Sequence, residues 1–276
     1  RVLRLQARTF VLVRTALLPL RCALIPYAIK RVPMNAANPW FQELDYRRTP
    51  IGELVLQRRR IAALGNADAY EVKLNGDYLM SSLFHEAEIA LADLALSRLD
   101  GSHWTVAVGG LGLGYTAAEA LKYSQVERLL VVEALEPVID WHRRRLVPNG
   151  PVLSEDPRCE YVHADFFALA RGHGFDPGDP GRRFHAILLD IDHTPHHVLA
   201  PGHAEFYTEA GLRRCARLLH PGGVFALWSN EKPEPPFVDL LAGVFGHAEG
   251  RVVSFDNPLQ GGTACNGIYL ATRRKG

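Results

Sequence analysis

From Gly52 to Ser82 apolar and polar residues alternate in three runs, GELVLQRRR, AYEVKLNG and DYLMSS. A period of two is the pattern of strands with one buried face. Asn75-Gly76 separates the second run from the third, and Asn-Gly best fills the two positive-φ positions of a type I′ turn, so a hairpin is expected there. The period then changes. Leu83, Ala87, Ala90, Leu91 and Leu94 fall at helical spacing, which predicts an amphipathic helix over Leu83–Leu99. From Thr105 onward short apolar runs alternate with helical stretches, the rhythm of a parallel sheet with helical crossovers. Strands are predicted near Thr105–Val108, Leu129–Glu133, Glu160–His163, His185–Asp190, Val224–Trp228, Arg251–Phe255 and Gly267–Thr272, and helices near Tyr115–Tyr123, Pro137–Leu146, Phe166–Arg171, Ala204–Leu219 and Phe237–Phe245. No helical stretch separates the last two strands, and Asn257, Pro258, Gly261 and Gly262 mark a turn, so the sheet should end in an antiparallel hairpin. The expected fold is α/β and Rossmann-like, with seven strands in the class I methyltransferase arrangement and a small antiparallel sheet ahead of it. Three segments follow from this: 1–33, 34–82 for the small sheet, and 83–276 for the Rossmann-like domain.

The first segment differs in charge. Residues 1–33 hold six Arg and one Lys, and no acidic residue precedes Glu43. Arg14, Pro19 and Arg21 interrupt its apolar run, so it does not read as a stable membrane span, which needs about 20 apolar residues. It fits neither a secretory signal nor a transit peptide. The expectation is a poorly ordered extension with Met34 as the natural start, and a basic helix on a membrane surface is the other reading. Over the whole chain, 31 Lys and Arg nearly balance 30 Asp and Glu. That leaves no general basic field for nucleic acid and points to small-molecule or protein partners. Cys22, Cys159, Cys215 and Cys265 form no CxxC pair, which argues against a disulfide framework or a zinc site and suits the cytoplasm.

Candidate chemistry collects at strand ends. The run VAVGGLGLG (Val106–Gly114) puts Gly109, Gly110, Gly112 and Gly114 between a strand and a helix, where the backbone can approach a ligand and present helix N-terminal amides to it. Glu133 ends the next strand, where a carboxylate can accept both ribose hydroxyls. An S-adenosyl nucleoside fits this constellation, a dinucleotide would use the same pattern, and a simple packing turn is the third reading. Asp165 ends the third strand and can accept from an adenine amino group or cap the following helix. The fourth strand, HAILLDIDH, runs out at Asp190, with Asp192 and His193 behind it. Asp190 should face the reacting centre, holding an amine and taking its proton, whereas Asp192 is either a second catalytic carboxylate or a loop cap. His193, His196, His197 and His203 offer metal-ligand types nearby, but their spacing matches no closed zinc pattern and a solvated loop accounts for them, so no metal is expected.

Together these motifs resemble the spermidine synthase (polyamine aminopropyltransferase) family. The resemblance runs from about Gly52 to Trp228: the leading strands, Phe84-His85-Glu86, the glycine turn, VVEALEPVID, Asp165, LLDID and Glu205-Phe206-Tyr207. It implies that Gly109, Gly110, Gly112, Gly114, Glu133 and Asp165 bind the donor, with Glu133 on the ribose and Asp165 on the adenine. It further implies that Asp190 activates the amine and that His85, Glu86 and Tyr207 line the acceptor side. The donor would be decarboxylated S-adenosylmethionine, the acceptor a small amine such as putrescine, and the assembly a homodimer. The chain departs from the family in four places. Gly112 stands where GGGDGG carries its Asp, the second carboxylate of Asp-x-x-Asp-Pro moves to Asp192, Trp228 replaces a Gln, and Ser82-Leu83 replaces an Asp-Glu pair. Methyl transfer from S-adenosylmethionine is the runner-up, and a nucleoside-binding protein without chemistry is the third reading.

Overall fold

The computed structural model describes residues 40–257, 259 and 261–275. The expectations for residues 1–33, for Met34 as a start and for Cys22 lie outside the described residues.

Four strands open the described chain: β1 (Phe41–Thr49), β2 (Gly52–Ile61), β3 (Ala67–Leu74) and β4 (Asp77–Ser81). They pair antiparallel in that order, and Asn75 and Gly76 take positive φ (54° and 90°) in the turn between β3 and β4, the hairpin that Asn-Gly predicts. The sequence pattern missed β1. Its side chains in FQELDYRRT are largely exposed or half-buried, so an edge strand with no buried face leaves no alternation to read. Helix α1 (Glu86–Leu96) follows. Leu91, Ala92, Ala95 and Leu96 are fully buried on its inner side.

The second sheet holds β5 (Trp104–Gly109), β6 (Val126–Glu133), β7 (Cys159–His163), β8 (Phe184–Leu189), β9 (Leu219–Ser229), β10 (Gly246–Asp256) and β11 (Thr263–Arg273). Their spatial order is β10-β11-β9-β8-β5-β6-β7. The pairs among β5, β6, β7, β8 and β9 are parallel, while β11 runs antiparallel to both β9 and β10. Strand order therefore reverses at the β5–β8 contact, and ligands of open α/β sheets sit outside the strand ends at such a switch point.

Alternate residues of the central strands feed two cores, as a parallel sheet covered on both faces requires. Val106, Val108, Leu129, Val131, Ala186, Leu188, Val224 and Ala226 join one cluster with α1 and the small sheet's Leu54, Leu56 and Val72. Ala107, Leu130, Val132, Ile187, Leu189, Phe225 and Leu227 join the other, with a group of phenylalanines. Six further helices cover the sheet: α2 (Tyr115–Leu121), α3 (Glu136–Arg143), α4 (Gly150–Glu155), α5 (Phe166–Arg171), α6 (Glu209–Arg217) and α7 (Pro235–Phe245). Two helix expectations need correction. The stretch predicted as Ala204–Leu219 is divided, with Pro201–Tyr207 forming a 3-10 helix. Thr208 then takes an extended conformation and accepts from the Gly211 N–H at 3.2 Å, starting α6 afresh. The short helix α4 was not predicted, because Gly150-Pro151 reads as a breaker although Pro in the first helical turn costs no hydrogen bond. The small sheet is also bound to the main one by polar contacts. Asp45 of β1 accepts from Trp141 Nε1 at 2.7 Å and from Arg47 Nε at 2.8 Å, and Arg47 reaches Asp140 of α3 at 3.0 Å. Among the described residues, no helix is long and apolar enough to cross a membrane.

Candidate active site

The glycine turn leaves β5 at the switch point and lies against the end of β8. Asp190 N–H donates to the Gly109 carbonyl at 2.8 Å, and Gly110 N–H donates to the Val132 carbonyl at 2.9 Å. Gly110 has φ +92°, and a Cβ there would lie 2.1 Å from the Asp190 carbonyl oxygen, so only glycine lets the chain pass this point. Gly112 differs. It has φ +51°, and the nearest atom to a Cβ would be Met80 Sδ of β4 at 3.5 Å, leaving its outer side open. Gly114 begins α2 and packs against α3 and α4, where a Cβ would meet Leu153 and the His142 ring.

Glu133 secures this turn from the end of β6. Its Oε2 accepts from Leu111 N–H at 3.0 Å and its Oε1 from Leu135 N–H at 2.8 Å. Burial raises its pKa, and the surrounding backbone N–H groups oppose that shift. The Gly112 and Ala134 N–H groups also act on it, so hydroxyls of a bound sugar would share its oxygens with the turn. Asp165 follows β7 and caps α5, its Oδ1 accepting from Phe167 N–H at 2.8 Å and Ala168 N–H at 3.2 Å. Of the two roles open in the sequence, capping is therefore filled by one oxygen, which leaves Oδ2 for a second partner.

Asp190 follows β8 and is half-buried on the α2 side of the sheet, where Thr116 Oγ1 donates to its Oδ2 at 2.9 Å. Burial pushes its carboxyl up to about 6, against the lowering effect of the Thr116 hydrogen bond. A carboxylate near neutrality suits proton transfer at physiological pH. The Asp190 charge reaches Glu88 of α1. This side chain is half-buried, and its carboxyl is pushed up to about 8 by burial and then by the Asp190 charge. Sequence reasoning missed both Thr116 and Glu88. A signal for Glu88 was present, since it stands at helical spacing before Leu91, Ala92 and Ala95, in line with the fully buried row of α1. His85 starts α1, with Nδ1 3.2 Å from the Ser82 carbonyl and its ring stacked on Tyr115 at 4.1 Å and 10°. Glu86 is exposed in the first turn of the helix.

Asp192 and Tyr207 form a separate group on the other side of the sheet. Asp192 is 1% exposed. Its Oδ1 accepts from Leu199 N–H at 2.7 Å and lies 2.8 Å from His203 Nδ1, while its Oδ2 accepts from the Tyr207 hydroxyl at 2.8 Å. The His203 ring stacks on Phe167 at 3.9 Å, and Phe167 and Tyr207 belong to the phenylalanine-rich core. The structure thus gathers Asp190, Thr116, Glu88 and the glycine turn in one crevice and uses Asp192, His203 and Tyr207 to hold the loop after β8. Among the described residues, no three His, Cys, Asp or Glu side chains are grouped to hold a metal ion.

An α/β sheet of this strand order, with a glycine turn, a carboxylate at the next strand end and an acid at the switch point, defines a class I methyltransferase-like fold. In sequence the chain is similar to polyamine aminopropyltransferases, and in fold to spermidine synthases. It is 30% identical over 173 residues to a polyamine aminopropyltransferase of Prochlorococcus marinus (strain MIT 9313), covering 60% of this chain and 54% of the relative. It is 34% identical over 160 residues to the polyamine aminopropyltransferase of Nitrosomonas europaea, covering 56% and 44%. The chain thus spans about half the length of these curated relatives. A spermidine synthase crystallised with the transition-state analogue AdoDATO superposes with a TM-score of 0.62 at 20% identity, over 85% of this chain and 74% of that one. The spermidine synthase of Thermotoga maritima gives 0.60 at 19% identity, over 85% and 73%. No family model matches the chain.

Proposed function

We propose that this protein is an aminopropyltransferase, which moves the aminopropyl group of decarboxylated S-adenosylmethionine to a small amine such as putrescine. The observation that carries the reading is Asp190, half-buried at the switch point and bonded to Thr116, where burial pushes its carboxyl up to about 6. The sequence likeness to polyamine aminopropyltransferases supports it.

In this reading Glu133 and the free oxygen of Asp165 hold the ribose and adenine of the donor, and the glycine turn lets the backbone close on it. The donor supplies an electrophilic carbon beside a sulfonium. Asp190 accepts a proton from the acceptor's ammonium, giving the neutral amine whose lone pair attacks that carbon. A C–N bond forms, the C–S bond breaks, and methylthioadenosine leaves with the sulfur electron pair. Most of the acceleration would come from alignment of amine and carbon, since the leaving group is already good. His85 and Tyr115, stacked beside α1 and α2, would wall the acceptor side.

Methyl transfer is the second reading, favoured by one observation: Gly112 offers no carboxylate to the amine end of a decarboxylated donor. The two readings separate by product. The protein is incubated with putrescine and either donor, and mass spectrometry follows the amine and the nucleoside. Aminopropylated putrescine and methylthioadenosine from the decarboxylated donor are expected. Turnover confined to S-adenosylmethionine, with a methylated amine, would replace the proposal.

A further inference from the structure

We infer that Glu88, a residue at none of the family's motif positions, is the specificity-determining partner of Asp190: together they seat the two ammonium ends of a diamine acceptor. The inference rests on the aminopropyltransferase reading for its reaction, and on the geometry of α1 for its residue.

Glu88 continues the row of Leu91, Ala92 and Ala95, which carries the buried side of α1. The helix packs against α2 and against β8, β9, β10 and β11. A carboxylate in this row is out of character for a packing helix, where a Leu or Ala would fill it without desolvation cost. Among the described residues Glu88 forms no ion pair with a cationic side chain, and its carboxyl accepts from its own backbone N–H. The charged and titratable groups that act on it are Asp190 from the end of β8, Glu86 from its own helix and Tyr115 from α2. None of these neutralises it. Two carboxylates in one crevice cannot both ionise cheaply unless a cation lies between them, so the pair is built to favour a positively charged occupant.

A second observation comes from β9. Leu189 and Leu227 are paired in register, so Trp228 stands level with Asp190; Trp228 packs against the cluster that holds α1 and α2, the side on which Asp190 meets Thr116. The Trp228 indole N–H is buried without a hydrogen-bond partner, which leaves an aromatic wall with one unmatched polar atom beside the carboxylates. An indole beside an ammonium chain adds cation–π attraction. The carboxylates that this chain lacks at Gly112 and next to the β8 end are thereby offset from α1. A second charged contact explains a preference for diamines over monoamines, because a monoamine satisfies Asp190 and leaves Glu88 unpaired.

The test uses the full-length protein and the variants Glu88→Gln and Glu88→Asp, with putrescine and butylamine as acceptors. For Glu88→Gln the KM for putrescine should rise about ten- to hundredfold, the loss expected for one charged hydrogen bond. The kcat, the donor KM and the KM for butylamine should stay near wild type, and Glu88→Asp should recover part of the putrescine KM. Thermal shift with putrescine alone should show stabilisation of the wild type and much less of Glu88→Gln. If a folded Glu88→Gln protein keeps the wild-type putrescine KM and thermal shift, or loses donor affinity instead, the assignment is wrong. A wild-type protein that makes no aminopropyl product would overturn the reaction and not the seat, which the putrescine thermal shift decides independently.

Discussion

Asp190 and Asp192 lie two residues apart and have different partners. Both follow the same strand, and side chains at that spacing would share a face if the strand continued. The backbone instead leaves β8 at Leu189, so Asp190 meets Thr116 while Asp192 turns under the loop to His203 and Tyr207. The two asparagine variants should therefore separate. Asp190→Asn should fold normally and lower kcat by about 10²–10⁴-fold, the usual worth of a positioned acid or base. Asp192→Asn should keep activity per folded molecule but lose about 1.5–3 kcal/mol, the range for a hydrogen bond to a charged group. Steady-state kinetics beside chemical denaturation would check both. The paired carboxyls of Glu88 and Asp190 also predict a pH dependence. A carboxyl with a folded pKa above its unfolded value binds its proton more tightly when folded, so its favourable effect is present at low pH. That effect is lost as pH rises through the folded value. With Asp190 raised from 3.8 to about 6 and Glu88 from 4.5 to about 8, the ligand-free protein should lose melting temperature between about pH 4 and pH 8. Glu88→Gln should flatten that slope; an unchanged profile would mean that Glu88 is ionised as readily as in water.

At the scale of elements, the glycine turn was legible because its chemistry is local. A strand, four glycines and a helix fix a backbone path, and Gly110 at φ +92° beside the Asp190 carbonyl is where that path admits no side chain. Gly110→Ala should cost at least about 1–3 kcal/mol from backbone strain alone, with more from the 2.1 Å approach. It should also abolish nucleoside binding, since the turn must move away from β8. Thermal denaturation and calorimetry with methylthioadenosine would measure the two effects. The elements that sequence reading missed share a cause. β1 pairs by backbone hydrogen bonds at an edge and buries no face, α4 begins on Gly-Pro, and the break at Thr208 arises from a side-chain cap. None of these depends on hydrophobic periodicity.

For the molecule as a whole, the two sheets share one core. Leu54, Leu56 and Val72 of the small sheet belong to the same buried cluster as Val106, Leu129 and Leu188 of the large one, and Asp45 and Arg47 link β1 to α3. The small sheet should therefore melt with the main domain. Leu56→Ala should cost about 2–5 kcal/mol, the range for a buried leucine, and should lower a single cooperative transition. A separate earlier transition, seen by calorimetry, would mean that the small sheet unfolds alone.

The sequence by itself determined the rhythm of strands and helices, the class of fold, the glycine turn, and Glu133, Asp165 and Asp190 at successive strand ends. These follow from period, local φ demands and the rule that parallel strands deliver their carboxyl ends to one crevice. Tertiary structure alone decided which acids face the crevice and which hold a loop. Asp192, as acidic as Asp190 in the sequence, is consumed by a loop. Glu88, hidden in a helical stripe, is carried to Asp190 by the packing of α1 on the sheet. Burial and charge between residues about a hundred positions apart have no local signal, because they depend on which faces the fold brings together.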